Sequence, residues 1–84
     1  MSVFWLAGVM DLPCNPAARL VLMSIADQAQ DDGFSAPVLD RLGLNRIQMR
    51  RAVQELVVLG YVEKGENVEG RETFHLFPRG AGHA

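Results

Sequence analysis

The sequence predicts an α+β fold, in which helices pack together and a small antiparallel hairpin follows them. Apolar residues recur at helical spacing over residues 16–30 and again over 45–59. β-formers gather later, in 61–64 and 72–77. Asn-Pro, Asp-Gly and single glycines separate these runs. The 84 residues suit one domain covering 1–84. A chain this short buries about 60–65% of its unfolded surface, so its core is small.

Residues 2–10 are apolar without clean alternation, and Val3, Phe4, Trp5, Leu6, Val9 and Met10 cannot all face one side. Residues 1–11 are therefore expected to form a short helix or an extended arm packed on the domain or on a second copy. Trp5 is expected as a buried anchor. Asn15-Pro16 is a helix start, a side-chain cap followed by proline at the first helical position. That helix is expected over 16–30, burying Ala18, Val21, Leu22, Ile25, Ala26 and Ala29. Leu20 and Met23 form a second apolar edge that the N-terminal arm could cover. Gly33 ends the segment, and Phe34 begins a short extended link.

Ser35 is read as the N-cap of a second helix, with Pro37 in its first turn and Gly43 at its end. Val38, Leu39 and Leu42 would face inward. Asn45 opens the next helix, and Gln48 three residues on completes the capping-box spacing. Met49, Ala52, Val53, Leu56 and Leu59 give this helix its buried stripe, and Gly60 stops it. Two helices joined by a short glycine-containing turn are the helix-turn-helix arrangement. The hairpin follows, with a loop from Gly65 to Arg71 between its strands, and Pro78 stops the second strand. Residues 79–84 are expected to be a frayed tail.

Net charge is −2, which disfavours an indiscriminate polyanion binder and leaves a localised basic face open. Cys14 is alone, so there is no internal disulfide, and it reads as a small, partly buried hydrophobe in a reducing compartment. His75, His83 and Cys14 lack metal-ligand spacing, and Asp27, Asp31 and Asp32 lack the pattern of a calcium loop. No base is placed beside Ser2, Ser24 or Ser35, and no glycine loop could cradle a phosphate. Catalysis and a bound cofactor are therefore not expected. No run of about 20 apolar residues is available to span a bilayer, and no basic flank marks a signal peptide. A soluble cytoplasmic protein is expected, with no membrane partner.

The run Val38-Leu39-Asp40-Arg41-Leu42-Gly43-Leu44-Asn45-Arg46 resembles the L-A-x-x-L-G-[LV]-S-x pattern of bacterial helix-turn-helix proteins. Leu56-Val57-Val58-Leu59-Gly60-Tyr61-Val62 resembles the passage that leads into the wing of MarR-like regulators. Leu12-Pro13, Ala18 to Leu22, Ile25-Ala26-Asp27 and Asp32-Gly33 look like the N-terminal domains of phage and plasmid replication proteins. Together these cover about Leu12 to Phe77. The resemblance implies a winged helix-turn-helix domain, a three-helix core with a small antiparallel β-hairpin wing. Three departures stand out: Asn45 replaces a serine, Leu39 replaces a small alanine, and the wing is acidic, with Glu63, Glu66, Glu69 and Glu72 around Lys64 and Arg71.

A helix about 10–12 Å across fits the major groove of B-DNA. Arginine can pair with guanine edges or with phosphates. Arg46 and Arg50 lie one turn apart with Arg51 beside them, and Asn45 and Gln54 could read adenine or hold phosphate. Ile47 could touch a thymine methyl or another protein. From the wing, Lys64 and Arg71 could reach the backbone. The bland alternative is a solvated face in which Arg51 pairs with Glu55 four residues on. The expected partner is double-stranded DNA, bound by a transcriptional regulator or an origin-binding replication factor of bacterial, phage or plasmid origin. It would act as a homodimer through the N-terminal arm and the helix after it. The competing expectation is a winged-helix protein-interaction module, such as a phage-encoded inhibitor or adaptor, motivated by the acidic wing.

Overall fold

The computed structural model describes residues 3–77. The expected tail lies outside these residues, and so does Pro78 as a strand stop. The elements run α1 (Val3–Val9), α2 (Pro16–Asp27), β1 (Phe34–Ser35), a single 3₁₀ turn (Asp40–Leu42), α3 (Arg46–Val58), β2 (Val62–Lys64) and β3 (Phe74–Leu76). The three strands form one antiparallel sheet in the order β1-β3-β2. This is a small α+β arrangement of three helices and an open three-stranded sheet. α2 packs on both α1 and α3, and the sheet closes over α2 and α3.

The three helices are not the three the sequence predicted. The N-terminal segment is a helix, whereas the helix expected after Ser35 does not form. Ser35 pairs with Phe74 in the sheet, and its buried hydroxyl donates to the Ile25 carbonyl at 2.7 Å. It therefore caps no helix. Ala36 precedes Pro37, and a residue before proline is pushed away from helical angles. Too little chain remains before Gly43, which turns in the left-handed region at φ 75°, for more than the 3₁₀ turn. Leu39 and Leu42 still pack at the edge of the core, but Val38 is exposed rather than inward.

α2 has the predicted buried face of Ala18, Val21, Leu22, Ile25 and Ala26, and Pro16 begins it. It ends at Asp27, short of the end that the apolar spacing suggests. The chain then turns through Gln30, whose carbonyl accepts from Gly33 N and from the Trp5 indole, both at 2.8 Å. Gly33 has φ +91°, and a Cβ there would run into the Leu76 carbonyl. A residue with a side chain would force the turn off the sheet. Trp5, Val9 and Leu12 enter the core from the N-terminal side. They do not cover Leu20 and Met23, which stay exposed.

Ala52, Val53 and Leu56 of α3 meet α2, while Val62, Phe74 and Leu76 supply the sheet's share of the core. β2 and β3 are shorter than predicted. Between them Gly65 N donates to Thr73 O at 2.8 Å, and the buried Thr73 hydroxyl donates to Glu66 O at 2.6 Å. Val68 and Arg71 exchange both backbone hydrogen bonds. Glu69 and Gly70 between them have φ of 54° and 80°, the pattern of a type I′ turn.

Candidate nucleic-acid interface

The capping box closes as its spacing predicts. Asn45 Oδ1 accepts from Gln48 N at 2.8 Å, and Asn45 N donates to Gln48 Oε1 at 2.9 Å. Two backbone N–H groups that a helix start would leave open are thereby satisfied. The box also occupies the oxygen that Asn45 would need to grip adenine through two hydrogen bonds. What remains for a ligand is the Nδ2 group.

With Met49, Ala52, Val53 and Leu56 on the inner side, the helical period turns Arg46, Ile47, Arg50, Arg51 and Gln54 outward. All five are exposed. Among the described residues, none of the three arginines has an ion pair or a hydrogen-bond partner. The Arg51–Glu55 pair of the bland alternative is not formed; Glu55 is engaged elsewhere. Its carboxylate accepts from Asn15 N at 2.7 Å and also from Asn15 Nδ2. Asn15 therefore ties the start of α2 to α3 and makes no side-chain cap of its own. The sequence offered no signal for this contact, because the partners are 40 residues apart.

A cleft of about 510 Å³ runs between α3 and the hairpin. Arg46, Arg50 and Gln54 line its helical wall, and Leu44, Met49 and Val53 contribute apolar surface. Lys64 and Glu72 face them from the hairpin, and Asp40 comes from the 3₁₀ turn. Ile47 and Arg51 do not line the cleft and sit on the outer strip of α3. The predicted residues thus divide into a continuous set at and along one helix and a pair, Lys64 and Arg71, on the hairpin.

The hairpin pair is less available than the helix set. Lys64 Nζ lies 3.9 Å from Glu72 Oε1. Both groups are about half exposed, so the pair is weak and releasable. Arg71 donates to the Ala36 carbonyl at 3.4 Å, which directs its guanidinium toward the segment after β1. Glu63, Glu66 and Glu69 are exposed without an ion pair among the described residues. Arg19, by contrast, serves the fold rather than a surface. It donates to the Met10 and Leu12 carbonyls at 2.6 and 3.0 Å, clamping the link between α1 and α2.

Burial pushes the Cys14 thiol up, Arg19 opposes the rise and Glu55 adds to it. The thiol is thereby held in its less nucleophilic form. His75 contacts the Asp32 carbonyl and packs edge-on against Phe77, on the exposed side of β3. Among the described residues, no cluster of His, Cys, Asp or Glu could hold a metal, and no helix is long and apolar enough to cross a membrane. No family model, curated protein or solved structure matches this chain.

Proposed function

We propose that this chain is a winged-helix DNA-binding module that inserts α3 into a major groove, as a transcriptional regulator or origin-binding factor of bacterial or mobile-element origin. The observation that carries the reading is the outward face of an N-capped helix, on which Arg46, Arg50 and Arg51 have no partner among the described residues. Unpaired cations on a rigid element are positioned without first breaking an internal contact. Arg46 and Arg50, one turn apart on the cleft side, would meet base edges or one strand's phosphates. Gln54, on the same side, would join them, Arg51 would meet the other wall of the groove, and Ile47 a thymine methyl. Asn45 Nδ2 would donate to a phosphate. Lys64, once released from Glu72, would meet the flanking backbone, with Arg71 farther along the hairpin. No covalent chemistry is part of this function.

The test is binding to mixed-sequence duplex DNA over a series of salt concentrations. The parent protein should bind with an affinity that falls steeply as salt rises. Arg50→Ala with Arg51→Ala should weaken binding at least about tenfold and reduce the salt slope by about two. Absence of binding by the folded protein at low salt would sink the proposal.

The hairpin favours a second reading. Lys64 is paired to Glu72, Arg71 is turned to Ala36, and Glu63, Glu66 and Glu69 have no ion pair among the described residues. Such a surface suits a basic protein better than a phosphate backbone. Failure of the DNA experiment, with a protein copurifying on the chain, would support an interaction module instead.

A further inference from the structure

The hairpin tip and the outer strip of α3 are complementary in both charge and composition. Ile47 is 64% exposed and is surrounded on the helix by Arg46, Arg50 and Arg51. Val68 is 51% exposed and is flanked at the tip by Glu66 and Glu69. Each patch is an aliphatic side chain beside like charges, and the two signs are opposite; Arg71, which faces Val68 across the turn, sends its guanidinium to the Ala36 carbonyl. An apolar centre with a charged rim is the usual anatomy of a protein contact. Among the described residues, no glutamate of the tip pairs with an arginine of α3 in the same molecule. Among the described residues, the hairpin's own cations form no ion pair with Glu66 or Glu69: Lys64 is matched by Glu72, and Arg71 donates to the Ala36 carbonyl.

We infer that the hairpin tip of one copy docks on α3 of a second copy, Val68 against Ile47, with Glu66 and Glu69 meeting Arg50 and Arg51. The occupant is another copy of this chain because each molecule carries both halves of the match and leaves them apart. The contact uses different surfaces on the two partners, so it links copies head to tail. It occupies the arginine face and is independent of whether that face also binds DNA.

Sedimentation of the DNA-free protein tests this. At about 0.01 M salt, where charges act over about 30 Å, the average mass should rise with concentration above the 9.3 kDa monomer. At about 1 M salt, where the range shrinks to about 3 Å, it should return toward the monomer. The variant Arg50→Glu with Arg51→Glu, and the variant Glu66→Lys with Glu69→Lys, should each be monomeric alone. An equimolar mixture of the two should associate again, because each then offers the charge the other lacks. Val68→Ser, which changes no charge, should weaken association severalfold and guards against a misfolded charge variant. A parent protein that stays monomeric at low salt would overturn the inference. So would association that survives in either charge variant alone, or a mixture that fails to associate when the parent does.

Discussion

Glu69 occupies the left-handed region at φ 54°, immediately before Gly70 at 80°. Most side chains with a β-carbon are disfavoured there by about 1–2 kcal/mol, whereas asparagine, with its short hydrogen-bonding side chain, adopts that region more readily. The turn between Val68 and Arg71 is one for which Asn-Gly is the preferred pair. Glu69→Asn should therefore stabilise the protein by up to about 1 kcal/mol, read as a higher thermal midpoint. A lower midpoint would show that the carboxylate makes a stabilising contact in solution. Glu69 was legible in the sequence as part of an acidic loop. Its strained backbone was not, because nothing local says where so long a loop places its turn.

Among the elements, α3 is the most self-sufficient. Its start is closed by Asn45 and Gln48, its inner stripe follows the helical period, and Gly60 follows its end. Removing the cap through Asn45→Ala should cost about 1 kcal/mol, measured by denaturant unfolding. An unchanged stability would mean that packing alone defines the helix start. The segment from Ser35 to Leu42 behaves in the opposite way. It carries acceptable local helix signals, yet Ser35 is taken by β3 and by the Ile25 carbonyl. Phe74 lies far along the chain and Ile25 is 10 residues back, both beyond the reach of any capping rule. The same holds for Asn15, which has the right position for a cap and instead binds Glu55.

Across the whole molecule, long-range hydrogen bonds hold the helices in register. Trp5 donates to Gln30 O at 2.8 Å, Asn15 donates to Glu55, and Tyr61 Oη donates to Pro13 O at 3.0 Å. The first joins α1 to the turn that leads into the sheet. Trp5→Phe removes the indole donor and some volume, and should lower stability by about 1–2 kcal/mol with an unchanged denaturant slope. A stability equal to the parent's would show that α1 lies outside the cooperative unit. These ties also determine what α3 presents. With Glu55 drawn to the start of α2, Arg51 lacks the i, i+4 partner that the alternative reading gave it. The basic face therefore keeps all three arginines unpaired among the described residues.

Short-range chemistry, readable along the chain, accounts for α2 and α3, their buried faces and the capping box at Asn45. It also accounts for the clustering of Arg46, Ile47, Arg50, Arg51 and Gln54 on one helix. These features depend on the helical period and on groups three or four residues apart. Tertiary packing settled the remainder. It chose the helix over the extended arm at the N-terminus and reduced the segment after Ser35 to a single turn. It assigned Glu55 to Asn15, paired Lys64 with Glu72 and turned Arg71 to the Ala36 carbonyl. Each of these required a choice between a local partner and a distant one. In a chain with so small a core, burying Ser35 against the sheet and α2 outweighs a cap that would have formed at the surface.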